Sequence, residues 1–460
     1  MAEPDATGAQ LTQLDAEFAE LKDEIAAPAS QRSRMATLVR ALRHRNFQLF
    51  FAGQLISLVG TWMQTVALSW LVYRITGSTL KLGAVAFASQ IPVFLIAPIG
   101  GTVADRSNRH RVVITTQTAS MVLAVVLAVL TMTHRIQVWQ IVVLAAGLGI
   151  VNAFDIPARQ AFLMDMVGRE DLMNAIALNS SMFNGARIIG PAVAGIVVAW
   201  VGEGWCFFAN AVSYIAVIAG LLMMKITHPV SLANEGSPIE HILEGFRFVA
   251  RAAPLRSLLL LLGLVSLVGM PYSVLMPVFA SQILHGGAKA LGWLMGATGV
   301  GALLGALTLA TRSGLKGLGS VIAMCAAGFG VSLIAFAASE MFWLSLILLL
   351  PVGFTMMVQM ASTNTLLQSM VADQMRGRVV ALYTMMFMGV APFGAFFAGA
   401  IAHRIGAPWT VAIGGAACIV GAVTFGMFLP AFRAQAREMI QAQGMVGSAP
   451  AVQMTRPGSS

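Results

Sequence analysis

Charged side chains are scarce in this sequence: 10% of its 460 residues are Asp, Glu, Lys or Arg, whereas 58% are hydrophobic. Soluble domains carry roughly 25% charged residues, so the composition excludes an ordinary soluble globular protein. The period-2 alternation of a membrane β-barrel is also absent. Apolar stretches of about 20 residues recur instead, which is the length that a helix needs to cross the hydrocarbon core. The sequence therefore predicts an all-α integral membrane protein.

Twelve such stretches follow one another along the chain. Their approximate first residues are Phe47, Leu80, Val112, Ile136, Met173, Trp205, Leu255, Leu291, Leu315, Phe342, Val379 and Pro408. The one long polar segment in the interior separates six spans from six. The predicted regions are an acidic cytoplasmic tail (1–35), an N-terminal six-helix bundle (36–226), a cytoplasmic linker with an amphipathic helix (227–253), a C-terminal six-helix bundle (254–432) and a cytoplasmic C-terminal tail (433–460).

Two regions outside the spans carry helical patterns. Residues 1–30 hold seven acidic residues and one Lys, which excludes a secretory signal or a transit peptide. Apolar residues in this tail share one helical stripe, which fits either a solvated helix or a helix that docks on a partner. In the linker, apolar residues from Ile239 to Val249 share one face, which predicts a helix lying along the membrane surface.

Cysteines are also few, and the three that occur have no partner at metal-ligand or disulfide spacing; they are Cys206, Cys325 and Cys418. The seven histidines are scattered, and no P-loop pattern is present. We therefore predict no metal, no cofactor and no ATPase activity. No constellation of nucleophile, base or metal ligands points to an enzyme.

The net charge of +9 reflects an uneven distribution of basic residues. If both termini are cytoplasmic, 22 of the 28 Lys and Arg residues lie in cytoplasmic segments. The exceptions are Arg187, within a span, and five residues outside: Arg74, Lys81, Arg135, Lys289 and Arg404. This is the positive-inside pattern. It predicts cytoplasmic termini and contact with anionic lipid, with no nucleic-acid partner.

The two halves repeat each other. With an offset of 204, ten positions between Ala177 and Trp205 have identical counterparts between Ala381 and Trp409. With an offset of 209, the tetrapeptide SLVG that begins at Ser57 recurs further along the chain. Two six-helix halves related by an axis along the membrane normal form one architecture of secondary transporters, with substrate bound near the midplane between the halves.

The loop after the second span reads GGTVADRSNRHRVVI. Its residues Gly101, Asp105, Arg106 and Arg109 match the G-x-x-x-D-R-x-G-R-R signature of the major facilitator superfamily, which the chain resembles. A glycine permits close helix approach, and the arginines can pair with acidic groups at the cytoplasmic rim. The resemblance implies the major facilitator fold and a latch between the halves that breaks during alternating access. The alternative is that these basic residues only set the orientation of the chain in the membrane.

Asp155, in NAFDIPARQ, lies about one turn inside the cytoplasmic end of the predicted fourth span. The superfamily resemblance makes it the partner of Arg109. The alternative is a proton carrier, because Asp155 is the only carboxylate placed within a predicted span.

A narrower resemblance covers most of residues 40–430. The stretches RNFQLFFAGQLISLVGTWMQTVALSWLVYRITGS and PARQAFLMDMVGREDLMNAIALNSSMFNGARIIGPAVAG are similar to the transmembrane secretion effectors, the enterobactin-exporter-like branch of the superfamily. The resemblance implies a monomeric, proton-driven exporter of siderophores or varied drugs in the bacterial cytoplasmic membrane. A non-transporting receptor or scaffold and an ion-coupled nutrient importer are the alternatives.

Arg187 stands near the centre of the fifth span, about 20 Å from either end. An arginine at that depth costs on the order of 3 kcal/mol, so its side chain should face the bundle interior or a wet cavity. Its counterpart in the second half is Ala391. One interpretation is that Arg187 binds an anionic or phenolic cargo group, or couples cargo to protonation. The other is that it ties helices together. Gly190 and Pro191 break the same helix, similar to the Gly-Pro motif of superfamily antiporters.

Other polar or flexible side chains within the spans are candidates for the lining of a central cavity. They are Asn184, Gln64, Gln90, Tyr272, Gln359, Asn364, Tyr383, Met356 and Met386. Each polar group can equally serve as an interhelical hydrogen bond. Methionines suit a cavity that repacks around varied apolar cargo, although they are also common core residues.

Overall fold

The computed structural model describes residues 40–225, 238–312, 314–315 and 317–447. Over these residues the chain consists of helices and their connections, without a β-strand. The apolar stripe predicted for the acidic N-terminal tail lies outside the described residues. Eleven helices are long and apolar enough to cross a membrane.

One of the eleven contains two spans. The helix Val138–Val201 has 64 residues, which would extend about 96 Å, roughly three times the thickness of a hydrocarbon core. Gly168 interrupts it with a φ of 71°, a left-handed conformation that glycine adopts at little cost. The fourth span is therefore 138–167 and the fifth is 169–201. Twelve crossings result, as the sequence predicts.

The spans begin within about five residues of their predicted starts. Those of the N-terminal half are Arg45–Thr76, Thr79–Arg106, Arg109–Met132, the two parts of Val138–Val201, and Glu203–Leu222. Those of the C-terminal half are Ala253–Ile283, Gly287–Ala310, Leu318–Ala337, Phe342–Ser369, Gln374–Ile405 and Ala407–Met427. Short connections make successive spans antiparallel, so the first and the last residue of each half lie at the same end of the molecule.

We call this end the linker end, since it carries the helix Pro238–Arg251 of the predicted amphipathic linker, and we call the opposite end the far end. The linker helix docks on the start of the eleventh span, where Glu244 pairs with Arg378 at 2.8 Å. Val249 on the same helix is buried. At the N-terminal half a 3₁₀ turn, Arg40–Arg43, precedes the first span.

The halves are packed together at the far end. Gly195 of the fifth span meets Gly292 of the eighth, and a Cβ on Gly195 would lie 3.0 Å from the Gly292 Cα. On the other side of the molecule, Gly83 of the second span meets Gly399 of the eleventh. The Thr79 hydroxyl donates to the Gly399 carbonyl at 2.9 Å. Because these glycines have no side chains, the backbones approach closely and seal both seams.

Contacts between the halves continue to the midplane but no further among the described residues. Phe94 of the second span packs against Gly389 and Phe393 of the eleventh. Towards the linker end, by contrast, the starts of the seventh and eleventh spans, Ala253–Leu264 and Asp373–Thr384, make no extensive contact with the described N-terminal half. The molecule is closed at the far end and open at the linker end.

Turns of π-helix are a feature of the C-terminal half. They occupy Val265–Gly269 and Phe279–Ile283 in the seventh span and Met385–Gly389 in the eleventh. The Ser266 hydroxyl donates to the carbonyl of Phe387 at 2.5 Å, which joins two of these turns. The described residues of the N-terminal half contain no such turn.

Candidate transport site

Arg187 lies between the two halves, near the midplane. Its guanidinium carbon is 6.0 Å from the ring centroid of Trp62 on the first span, within the range of a cation–π contact. Tyr272 of the seventh span interacts with it electrostatically. The backbone of Arg187 packs against Gly299 of the eighth span, where a Cβ would lie 3.0 Å from the Arg187 carbonyl oxygen. Both halves therefore contribute to this site.

The guanidinium of Arg187 has no hydrogen-bond acceptor in the part of the chain that the structure describes. Among the described residues no carboxylate lies within 4.0 Å of it, and it donates no hydrogen bond to them. Other arginines of this half are paired: Arg74 with Glu203 at 2.6 Å, and Arg109 with Asp165 at 3.0 Å. A guanidinium carries five N–H donors. If Arg187 tied helices together, its guanidinium would donate hydrogen bonds to neighbouring spans, and the described residues do not accept any.

The aromatic side of the site depends on Gly190. A Cβ on Gly190 would collide with the Cβ of Trp62, so a glycine is needed where the fifth span passes the first. The Trp62 ring also packs edge-on against Phe183 at 5.7 Å. Pro191, the next residue, places its carbonyl oxygen against Gly292. The Gly190–Pro191 pair, at which the sequence predicts a break, lies within a continuous helix and shapes both the site and the far-end seam.

Tyr272 closes the site from the C-terminal half. Its ring is only 4% exposed and packs edge-on against Phe329 at 6.1 Å. Its hydroxyl interacts with Thr298 of the eighth span. The π turn Val265–Gly269 is followed by Met270 and Pro271, and Tyr272 is the next residue. The direction of the Tyr272 ring therefore depends on this irregular stretch of the seventh span.

Several predicted cavity residues lie inside a half. Gln64 is 8% exposed and accepts a hydrogen bond from Asn210 at 2.7 Å. Gln359 is fully buried, and Met356 is 2% exposed. In the structure these residues belong to the packed interiors of the halves. The interhelical interpretation describes Gln64 well.

The remaining predicted cavity residues have contacts within their own half. The Tyr383 hydroxyl donates to the carbonyl of Met360 at 3.1 Å. Asn184 and Asn364 are engaged with residues one turn away on their own helices. Gln90 is half-buried on the second span, and Met386 contacts Gly263 of the seventh span.

The signature loop after the second span joins helices of one half. Arg109 pairs with Asp165 at 3.0 Å and lies 3.8 Å from Asp105. The expected pair of Arg109 with Asp155 is therefore wrong, as is the expected latch between the halves in this conformation. The close helix approach is made by Gly100, which abuts the Ala153 carbonyl, whereas a Cβ on Gly101 would meet nothing within 4 Å. Arg106 is exposed.

Asp155 lies beside Thr116 of the third span, about 11 Å from the start of that span at Arg109. The fourth span continues to residue 167, so Asp155 is about 20 Å from the Gly168 break. Its carboxylate is 2.7 Å from the Arg159 guanidinium. It also accepts hydrogen bonds from Thr116 at 2.7 Å and from Gln117 at 2.9 Å. This buried ion pair lies near the middle of the N-terminal half.

Two pseudo-symmetric six-helix bundles that meet around a cation at the midplane have the architecture of membrane transporters that bind substrate between their halves. The family model of the transmembrane secretion effectors matches residues 36–454. The chain belongs to this family. It is accordingly a multi-pass membrane transporter of small molecules and not an enzyme.

Relatives of known role are similar over most of their length. The staphyloferrin A transporter of Staphylococcus aureus is 26% identical over 379 residues, which cover 82% of this chain and 94% of the relative. The multidrug efflux pump Tap of Mycolicibacterium fortuitum is 27% identical, covering 81% and 93%. The enterobactin exporter EntS of Escherichia coli is 26% identical, covering 74% and 81%.

Solved transporter structures share the fold. The nucleoside transporter NupG superimposes with a TM-score of 0.66 at 15% identity, covering 84% of this chain and 98% of the other. A bacterial homologue of the iron transporter ferroportin, in an inward-facing state, gives a TM-score of 0.63 at 16% identity, with the same coverage. These superpositions, at low sequence identity, show that the chain shares the fold of these transporters.

Proposed function

We propose that this protein is a proton-coupled exporter of small amphipathic molecules, siderophore-like or drug-like, and that it works by alternating access. The single observation that carries the proposal is the unpaired guanidinium of Arg187 at the midplane, between the halves. An arginine so placed is costly unless a ligand completes its interactions.

The chemistry of the site favours an anionic or phenolic group attached to an aromatic body. The guanidinium offers two parallel donors to a carboxylate or a catecholate. The Trp62 ring beside the guanidinium can stack with an aromatic cargo, while the buried Tyr272 lies behind the site in the C-terminal half. The names of the relatives, which include an enterobactin exporter and a multidrug pump, agree with such a cargo.

Alternating access is supported by the packing of the halves. Glycine contacts close the far end, whereas the linker end is open. The distribution of basic residues supports an orientation in which the linker end and both termini face the cytoplasm of a bacterium. In this orientation the described conformation receives cargo from the cytoplasm. Separation of the glycine seams would release it on the other side.

The decisive experiment compares Arg187→Ala and Arg187→Lys with wild type in inverted membrane vesicles. Accumulation of enterobactin, staphyloferrin A and ethidium is measured with and without an uncoupler, and is normalised to protein abundance. We expect proton-driven accumulation of at least one probe, lost in Arg187→Ala and weakened in Arg187→Lys, because lysine lacks the planar two-donor geometry. Arg404→Ala, an exposed far-end arginine, is the matched control.

Normal accumulation in both Arg187 variants would exclude the cargo-binding role. A fall in protein abundance without a change in transport per molecule would favour the helix-tying role instead. Efflux rather than accumulation in these vesicles would indicate an importer. No movement of any probe would favour a receptor or scaffold.

A further inference from the structure

One contact between the halves places a phenylalanine ring on a bare stretch of backbone near the midplane. A Cβ on Gly389 of the eleventh span would collide with the ring of Phe94 on the second span. The Phe94 ring therefore occupies the space that any side chain at residue 389 would need. We call this space, which is bounded by the Gly389 backbone and the ring of Phe393, the Gly389 socket.

The local structure of the eleventh span forms the socket. Gly389 is the last residue of the π turn Met385–Gly389. The seventh span holds this turn through the hydrogen bond from Ser266 to the Phe387 carbonyl. A π turn often marks a functional site, and a glycine at its end leaves the backbone uncovered. The socket thus belongs to the C-terminal half, whereas the ring inside it belongs to the N-terminal half.

The socket lies at the depth of the cargo site, where the opening ends. The repeat offset of 204 pairs Gly389 with Gly185, two residues before Arg187, so the two levels differ by about 3 Å. Towards the linker end, the segment Asp373–Thr384 of the eleventh span makes no extensive contact with the described N-terminal half. Phe94 itself is only partly buried. Cargo that enters from the linker end therefore reaches the Phe94 ring.

The seam between the fifth and eighth spans allows a comparison. Gly83 meets Gly399 on one seam, and their repeat equivalents Gly292 and Gly195 meet on the other. The glycine contacts of the two seams therefore correspond residue by residue. The same offsets identify the equivalents of every other seam residue.

The fifth and eighth spans have no ring at the equivalent level. The offsets pair Phe94 with Leu303 and Gly389 with Gly185. A Cβ on Gly185 would meet nothing within 4 Å among the described residues, whereas a Cβ on Gly389 would collide with Phe94. A seam can thus be sealed at the far end without a ring in this place. Closure alone does not explain the position of Phe94.

Both partners of the contact lie on irregular helical segments. Phe94 stands between Pro92 and Pro98 inside the second span, and each proline removes an intrahelical hydrogen bond. Gly389 ends a π turn. Prolines and π turns are the points at which helices bend. The Phe94 ring can therefore leave the socket without disrupting a regular helix.

The chemistry of the socket suits an aromatic ring. The rings of Phe94 and Phe393 are 6.4 Å apart with an interplanar angle of 85°, an edge-to-face arrangement that aromatic pairs prefer. Neither span carries a charged residue within two helical turns of the contact. Another ring in the place of Phe94 would make the same contacts.

We propose that the Gly389 socket is a second cargo subsite, which binds an aromatic ring, and that Phe94 is an internal plug that occupies it until cargo takes its place. This inference rests on the proposed exporter function and names a part of the cargo. Arg187 holds the anionic or phenolic group, and the socket holds an aromatic ring of the same molecule.

The test follows the Phe94 ring directly. Para-fluorophenylalanine is incorporated in place of Phe94, and fluorine NMR spectra of the purified protein are recorded during titration with enterobactin or staphyloferrin A. The first siderophore contains aromatic rings and the second contains none. We expect enterobactin to move the fluorine resonance to a new position in a saturable manner, because its ring displaces the plug. Staphyloferrin A should leave the resonance unchanged.

Gly389→Ala fills the socket. Its methyl group pushes out the Phe94 ring, so the fluorine resonance of the free protein should already be displaced, and enterobactin should not move it further. Because the cargo ring also loses its place, the Kd of enterobactin should rise about 2- to 12-fold, the equivalent of one aromatic pair. The Kd of staphyloferrin A should stay the same.

Phe94→Leu removes the competing ring and keeps the test available if Gly389→Ala fails to fold. Leucine is the residue at the equivalent position 303. The Kd of enterobactin should fall by about 2- to 12-fold, because no ring has to be displaced. The matched control is Gly185→Ala, where a Cβ would meet nothing within 4 Å. Its Kd values should match wild type.

A fluorine resonance that stays in place at every concentration of enterobactin would overturn the subsite. Equal Kd values for enterobactin in Gly389→Ala and Gly185→Ala would also overturn it. Arg187-dependent accumulation of enterobactin in vesicles, with an unmoved Phe94 ring, would leave the exporter proposal standing without the subsite. Displacement of the ring by enterobactin, without accumulation of any probe, would support the subsite while the exporter proposal failed.

Discussion

Replacing Gly292 by alanine should weaken the far-end seal. A Cβ at this position would lie 2.5 Å from the carbonyl oxygen of Pro191 and 2.8 Å from the Gly195 Cα. Both obstacles are backbone atoms, which cannot rotate away. The fifth and eighth spans must therefore separate by about 1 Å to restore ordinary contact. Overpacking of this kind costs about 1–3 kcal/mol, which shifts a two-state equilibrium by about 5- to 150-fold towards the conformation with an open far end.

The second seam between the halves, where the second span meets the eleventh, can be used to measure this shift. Thr79→Cys places a thiol where the second span meets the eleventh, at a position that is 8% exposed and remote in sequence from Gly292. The three natural cysteines are buried. If the halves move as rigid bodies, Gly292→Ala increases the rate at which a membrane-impermeant maleimide labels residue 79 by the same factor of about 5 to 150.

Gly101→Ala provides the control, since its Cβ would meet nothing within 4 Å. It should leave the labelling rate unchanged. Equal labelling of Thr79→Cys with and without Gly292→Ala, in proteins of equal thermal stability, would refute the reasoning. In that case the spans would accommodate the methyl group by local adjustment, without moving the halves.

Two further substitutions test the site and the N-terminal half. Trp62→Leu removes the ring beside Arg187, so we expect the KM for an aromatic anionic cargo to rise about 2- to 30-fold while kcat is retained. This rise is the equivalent of about 0.5–2 kcal/mol of cation–π energy. An unchanged KM for every transported probe would argue against contact of cargo with this ring. Asp165→Asn weakens the ion pair with Arg109, in which both side chains are only 14% exposed. The free energy of unfolding in detergent should therefore fall by about 1–2 kcal/mol. Asp105→Asn, at the exposed and longer contact with Arg109, is the control and should change this free energy by no more than about 0.5 kcal/mol.

The architecture could be predicted because it depends on length and repetition. Apolar runs of span length gave twelve helices, and the internal repeat gave two halves. The join between the fourth and fifth spans was harder to place. The helix continues well beyond the apolar run, and only the positive φ of Gly168 ends it.

The candidate site was predicted unevenly. Arg187 was identifiable because a charge in an apolar span is conspicuous. Trp62 was missed, because an aromatic residue in a membrane helix looks the same in sequence whether it faces lipid, core or cargo. Thr298 was missed for a similar reason. Gln359 was assigned to the cavity because it is polar. The direction of its side chain depends, however, on how the helix is rotated about its axis. A uniformly apolar span has no periodic pattern that defines this rotation.

The π turns give the two halves different mechanical properties. A π turn accommodates one extra residue, and its weaker hydrogen bonding lets a helix shift its register locally. Such turns interrupt the seventh and eleventh spans, beside Tyr272 and Phe393, whereas the fifth span around Arg187 is a regular α-helix. One wall of the pocket is thus stiff and holds the charge in place, while the facing wall is compliant. If Arg187 binds cargo as proposed, molecules of different shape can be accepted by deforming that wall alone, each with its negative group at the same guanidinium.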